Sequence, residues 1–402
     1  MSSHDPFEDF GGEMGRFMPN MFADVMKMMQ VQDPTQFDLI SQLAMSIVAD
    51  PDEKNVDPKD RITSDELARI ADLHVADVTG MPTSPSGGPI AVRTLTRTAW
   101  VQRSLTSWKD LLGEIVRVRS QADSKTNFDS DSSGHNDMPA MMEKWFAMLA
   151  PTLAAMQLGS AIGHLGKRTH GQYDLLLPGN FLDGPAIVFD NRKAFANDWS
   201  LPVNDVMLWM TVNDLSIHSI LSRAHVSQRL RHLILSRSAT LNIDAKALQQ
   251  QLEASMPSSM SELAEILGGS NTLEPSQASA AQNQNQRELE TLVTVIRGYC
   301  DWVSRTVAER AIGSRSLIAE AITRSRIERS ESEHASDAIV GVEQNFDMYE
   351  RGRRFIQGVI DRNGDRSLAQ LWVVESNLPT PADLDAPGLW LERIHLEHPE
   401  LY

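Results

Sequence analysis

Between Val206 and Leu221 the chain carries an almost unbroken apolar run: Val206, Met207, Leu208, Trp209, Met210, Val212, Leu215, Ile217, Ile220 and Leu221. A helix apolar nearly all round has no polar face to give to water, so it must lie at the centre of the fold with other elements packed about it. Ser200-Leu201-Pro202 and Asp205 mark its start, because proline suits the first helical turn and a carboxylate suits the positive helix end. Asn213, Asp214 and His218 interrupt the run. They are the positions where chemistry is to be sought.

Around this element the periodicity predicts further helices. Apolar residues at three- and four-residue spacing mark Phe37 to Val48, Ser64 to Val78 and Val92 to Val118, and a Met- and Ala-rich stretch runs from Met138 to Gly166. Gly159-Ser160-Ala161-Ile162-Gly163 places small residues four apart, which lets another element approach closely. Helices resume over Glu288 to Ala311, Ser316 to Arg329 and Tyr349 to Asp361, and Asn363-Gly364 leads into Leu368 to Val374. The strand candidates are Gln172 to Leu177 and Ala186 to Phe189, which imply a small hairpin or sheet edge. The fold class is thus mainly α with a small β-sheet.

The expected organisation is a Met-rich N-terminal arm at 1–35, a helical region at 36–120, a polar loop at 121–137 that marks a domain seam, and a second domain at 138–402. A low-complexity linker is expected at 268–286, where Gln282-Asn283-Gln284-Asn285-Gln286 stands out. In the arm, Met14, Met18, Met21, Met26, Met28 and Met29 form either an amphipathic helix on the chain's own core or a soft surface for a partner groove.

Among 402 residues, 37 Lys plus Arg stand against 54 Asp plus Glu, a formal charge of −17. Such a surface repels phosphate backbones and anionic bilayers, so neither nucleic acid nor membrane is an expected partner. Cys300 is the only cysteine, which excludes an intrachain disulfide or a thiolate metal cluster and points to a reducing cytoplasm. The N-terminus is acidic where an export signal would be basic. No G-x-x-x-x-G-K-[ST] loop, strand-linked G-x-G-x-x-G or G-x-S-x-G elbow occurs, so nucleotide and serine-hydrolase chemistry lose their usual carriers.

The central helix has the shape of a zinc-binding helix from which the ligands are missing. A working H-E-x-x-H places two imidazoles one turn apart on Zn²⁺ and a Glu beside the first to act on metal-bound water. Here those positions read Asn213, Asp214 and Ile217. Further blocks stand in order: Arg97-Thr98-Ala99-Trp100-Val101 with Trp108, Gly171-Gln172-Tyr173-Asp174-Leu175, and Asp198-Trp199 with Leu201-Pro202. Ile296-Arg297-Gly298-Tyr299, Tyr349-Glu350-Arg351-Gly352 and Leu378-Pro379-Thr380 follow. Together they resemble the actinobacterial zincin-like metallopeptidases, a family of uncharacterised hydrolases.

That resemblance implies a zincin-like fold and a third, carboxylate zinc ligand on a later helix, which falls on Arg297. All four positions depart from the pattern. An Asn amide is a weak zinc ligand, Ile217 has no lone pair, and Asp214 is one methylene shorter than Glu. Arg297 puts a permanent cation where a cation-binding group should sit. The expected outcome is a charge pair between Asp214 and Arg297, whose rival is an i, i+4 pair of Arg297 with Asp301.

Two further constellations stand out in the sequence. Asp214, His218 and His225 lie along one stripe and form the alternative metal site, serving a metal-dependent hydrolase with a rearranged centre. The basic run Arg223, Arg229, Arg231 and Arg237, with His225 and His232, offers an anion surface or a face paired with surplus carboxylates. His164 and His170 flank Lys167-Arg168 at an expected helix end. The sequence therefore predicts a pseudopeptidase with no catalytic residues, no cofactor and no zinc. It would act as a module for an unidentified protein or peptide.

Overall fold

The computed structural model describes residues 36–84, 87–88, 90–126, 138–179, 184–243, 273–275, 279–328, 337, 339 and 341–397. The Met-rich arm and residues 127–137 lie outside the described residues. In chain order the elements are α1 (Gln36–Val48), α2 (Pro58–Thr79), β1 (Arg93–Leu95), α3 (Arg97–Thr126), α4 (Met138–Arg168), β2 (Ala186–Val188), α5 (Phe189–Asp198), α6 (Val203–Leu221) and α7 (Ala224–Ser238). They continue through β3 (Leu241–Ile243), β4 (Leu273–Pro275), α8 (Ala280–Ala311), α9 (Arg315–Ile327) and α10 (Phe346–Asn363). Two 3₁₀ segments, Asp365–Trp372 and Glu375–Asn377, then precede α11 (Pro381–Asp385) and α12 (Pro387–Glu397).

As its composition requires, α6 is buried along nearly its whole length. It packs against α2 on one side and α8 on another, with α5 and α7 flanking it. A second layer is α1 on α4, with α3 against both. One apolar cluster runs from Ile40 in α1 to Ile394 in α12, so side chains from both sides of residues 127–137 share a core. The small-residue stretch works as expected: a Cβ on Gly159 would stand 2.8 Å from the Ile40 carbonyl oxygen, so α1 lies directly on it. Among the described residues, no helix is long and apolar enough to cross a membrane.

Several boundaries differ from the sequence expectation: the helix expected from Val92 begins at Arg97, because residues 93–95 pair with Ala186–Val188 as β1, and it continues to Thr126, into the stretch expected as a polar loop. Helix α2 begins six residues before Ser64, because Asp57 caps it through the Lys59 amide and Pro58 fills the first turn, while Gly80 closes it at φ 64°. The Gln/Asn-rich run is no linker but the opening of α8. Ser279 and Gln282 form a reciprocal capping box, Gln284 and Gln286 donate to Glu288 and Glu290 one turn on, and Asn285 donates to Ser236 at 2.7 Å.

The expected hairpin is also replaced. Strand β2 pairs in parallel with β1, with Arg93, Thr94 and Leu95 opposite Ala186, Ile187 and Val188. The Gln172 to Leu177 segment forms no strand; Gly171, just before it, makes a single antiparallel bridge with Ile187. Its ladder stops there because Asp174 turns the chain back on itself and because Arg297 takes the Tyr173 and Asp174 carbonyls, as described below. A second pair, β3 with β4, is antiparallel and was not foreseen.

A buried charge cluster as the candidate functional site

Asp214 sits mid-way along α6 and is 3% exposed. A carboxylate so placed must find a partner within the fold, because burying an uncompensated charge costs several kcal/mol. The partner is Arg192, carried by α5, which follows directly from β2. Its Nη2 donates to Asp214 Oδ2 at 2.5 Å, its Nη1 to Thr211 Oγ1 at 2.9 Å, and its Nε to the His170 carbonyl at 2.8 Å. All three nitrogens of the guanidinium are thereby engaged. With both side chains almost wholly buried, this is an interior ion pair.

The segment before β2 is folded around that pair. Asp174 accepts from the His170 amide at 2.5 Å and from Thr169 Oγ1 at 3.1 Å, making a tight turn over residues 169–174. Asn191 donates to the Thr169 carbonyl and accepts from Arg97 Nε, tying the same turn to α3. At the centre of the turn, Gly171 is pressed against the ion pair. Any Cβ there would collide with Asp214 Oδ2, so only glycine lets the backbone come so close.

Arg297, on α8, does not bond Asp214. Its Nη2 donates to the Tyr173 and Asp174 carbonyls at 2.8 and 3.0 Å, and its Nε to Gln344 Oε1 at 2.7 Å. Gln344 is in turn held by Asp337, through its own amide at 2.8 Å and its side chain at 3.0 Å. Arg297 thus clamps the turn from the far side and reaches Asp214 only as a neighbouring charge. The rival partner, Asp301, faces away: it accepts from Arg305 Nε at 2.7 Å and from Arg326 at 3.1 Å. Burial alone would raise the Asp301 carboxyl, but those two guanidinium groups hold it below its ordinary range.

The titration of the cluster follows its burial. Removal from water pushes Asp214 up to about 7, against the pull of Arg192 and, more weakly, Arg297. Burial also lowers Arg192 from its usual value, with Asp214 opposing the shift. Tyr173 is raised by burial and by the Asp214 charge, and its hydroxyl pairs with His218 Nδ1 at 2.6 Å. Cys300, wholly enclosed, is raised by burial, which makes it a poor nucleophile.

The remaining candidates are dispersed. Ile217 is a core residue with no exposure, and Asn213 is half-buried. His225 lies beyond the end of α6 near Trp372 and Glu375, where burial and the Arg223 charge lower its affinity for a proton. Asp214, His218 and His225 are therefore not gathered, and among the described residues no group of three or more His, Cys, Asp or Glu side chains is arranged to hold a metal ion. In the basic run, Arg229 pairs with Glu288 and Arg231 with Glu114, which is the paired-face alternative.

The sequence profile of the zincin-like metallopeptidase family matches residues 36–391. The chain belongs to that family. Its fold is similar to the crystal structure of "a putative hydrolase with a novel fold from Chloroflexus aurantiacus", with a TM-score of 0.57 at 18% identity, over 89% of this chain and 98% of that one. No match was found among curated proteins.

A zincin-like fold implies zinc, and the donors present here do not fit it. Of the four positions that the resemblance assigns to the metal and its base, one is an amide, one an alkyl group and one a guanidinium. The fourth, Asp214, already carries the Arg192 guanidinium on its Oδ2. Zinc would have to displace a cation bound in place by two further hydrogen bonds.

Nothing in Phe189 to Asp198 marks Arg192 above the neighbouring Lys193, so the sequence does not single it out. The readable signal was indirect: an acidic residue inside an apolar helix demands a buried cation, and Gly171 marks a close backbone approach. Replacing Arg192 by Met should destabilise the fold by about 3 to 5 kcal/mol, because Asp214 is left buried and unpaired. Pairing that change with Asp214→Leu should recover most of the loss in urea unfolding, and equal destabilisation of the single and double variants would refute the pairing.

The pH dependence has a definite sign. With Asp214 near 7 when folded and near 4 when unfolded, the folded state binds the extra proton between those values. The stability from this group is full below about pH 4 and is lost as pH rises through 7. Asp214→Asn should flatten that part of the profile, so the difference in unfolding free energy between the parent and the variant should shrink from pH 4.5 to 7.5. A constant difference across the range would exclude the shifted carboxyl.

Proposed function

We propose that this chain is a zincin-like protein without peptidase activity, acting as a protein- or peptide-binding module through its outer surface. The observation that supports it best is the Arg192 guanidinium seated on Asp214, the residue that resemblance places at the catalytic base. A base for hydrolysis must accept a proton from water at the reacting centre. Here the carboxylate faces a guanidinium and a glycine backbone.

Enclosure supports the same reading. Asp214, Arg192, Tyr173, His218 and Arg297 are each at most 5% exposed, so the cluster offers no open path to a peptide bond. A binding role then rests on surface elements, while the former centre serves as a fixed internal strut. No observation favours the hydrolase with a rearranged centre at Asp214, His218 and His225.

The test is metal content and hydrolysis on untagged protein after zinc supplementation. The expected result is substoichiometric zinc and no chelator-sensitive cleavage of casein or of a mixed peptide library. Partners recovered from the native cell should stay bound in the presence of a chelator. One zinc per chain together with cleavage abolished by chelation would overturn the proposal.

A further inference from the structure

Helix α10 packs on α8 through Met348, Gly352, Phe355, Ile356 and Val359, which are buried at helical spacing, and α11 and α12 fold back beside it. Gly358 sets how close they come, since a Cβ there would stand 2.8 Å from Pro387 Cγ. Helix α11 is held by the reciprocal capping box of Thr380 and Asp383, and Asp383 also accepts from Arg393 Nη2 of α12 at 2.7 Å. The seam between these helices is therefore fixed by backbone and polar contacts. It leaves a pocket of about 150 Å³ lined by Arg351, Arg354, Phe355, Leu384, Asp385 and Pro387.

The pocket joins an apolar floor to a cationic rim. Phe355 is wholly buried and Leu384 nearly so, while Arg351 and Arg354 lie three residues apart on one face of α10. Arg351 is already matched: its Nε and Nη2 both donate to Asp385 Oδ1, at 3.0 and 2.7 Å, which neutralises the one carboxylate among the lining residues. Arg354 is not. Its Nε makes a long 3.4 Å contact with the Glu350 carbonyl, the Glu350 carboxylate is taken by Arg353, and among the described residues Arg354 has no ion pair. A formal charge of −17 repels anions from most of this surface, so an unpaired guanidinium beside a pocket is a place where one can be held.

We infer that this pocket takes the C-terminal residue of a partner peptide, with an apolar side chain on Phe355 and Leu384 and the terminal carboxylate on Arg354. The volume suits one side chain of about leucine size and not a lipid chain or a helix. A C-terminal residue carries its carboxylate and its side chain on the same carbon, so the anion meets the rim while the side chain fills the floor. In an extended internal segment an acidic residue and its apolar neighbour point to opposite sides, and only one of them could enter. The planar fork of a guanidinium matches a carboxylate. This inference rests on the binding role proposed above and gives that role a site and a class of ligand.

Fluorescence anisotropy of the full chain with a fluorescein-labelled glycine–serine hexapeptide ending in leucine tests it. The free-acid peptide should bind saturably with a Kd of about 100 µM, as one anchored residue allows. Amidating the terminus, replacing the last leucine by glycine, or changing Arg354→Glu should each weaken binding by about tenfold or more. Arg354 is exposed, so thermal unfolding of the variant should be little changed, which separates a lost site from a lost fold. No saturable binding of the free acid would overturn the inference. Acid and amide bound alike, or binding indifferent to Arg354→Glu, would overturn this pocket and leave a peptide-binding surface elsewhere on the chain. Chelator-sensitive cleavage of the probe would overturn the binding-module role instead, with Arg354→Glu still deciding the pocket.

Discussion

The Arg192–Asp214 ion pair is the interaction around which the rest of this interior is arranged. Taking a carboxylate and a guanidinium out of water costs several kcal/mol for each ion, and their attraction offsets this only when the remaining donors are also satisfied. Here they are: Thr211 on α6 and the His170 carbonyl take the other two guanidinium nitrogens. Those partners fix where α5 stands against α6, and so where β2 and the turn before it must run. The net stability gained is small. The constraint imposed on neighbouring elements is large, because breaking any one contact leaves a buried charge exposed to a low dielectric.

The turn over residues 169–174 shows how that constraint propagates. Gly171 must be glycine to admit Asp214, Asp174 must close the turn onto the His170 amide, and Arg297 must take the carbonyls that the sheet does not use. Two arginines thus bracket the segment, one on the side of α6 and the other on the side of α8. In a zincin-like scaffold a metal ion would unite helices by binding side chains from each. In this chain Arg192 joins α5 to α6 and Arg297 joins α8 to the turn, each through several hydrogen bonds in a planar fork geometry that lysine would not supply.

Much of this was legible in the sequence, for reasons that can be named. The apolar run of α6 fixed a central helix, and the interruption at Asn213 and Asp214 located the cluster. Helices α1, α4 and α10 followed from their periodicity, whereas periodicity alone ran the helix expected from Val92 through the residues that pair as strand β1. What sequence could not supply was the identity of the partner. Charge complementarity alone made Arg297 and Arg192 equivalent, and only the packing of α5 on α6 brings the second within reach. The low-complexity run failed as a linker because its glutamines and asparagines bond within the helix and to α7, a contact that composition does not encode.

A zinc-edge anomalous map from crystals grown with zinc would decide the central claim most directly. The account predicts the Arg192 guanidinium within hydrogen-bond distance of Asp214 Oδ2, Arg297 on the Tyr173 and Asp174 carbonyls, and no anomalous peak among them. A zinc peak coordinated by Asp214, with Arg192 displaced, would contradict it.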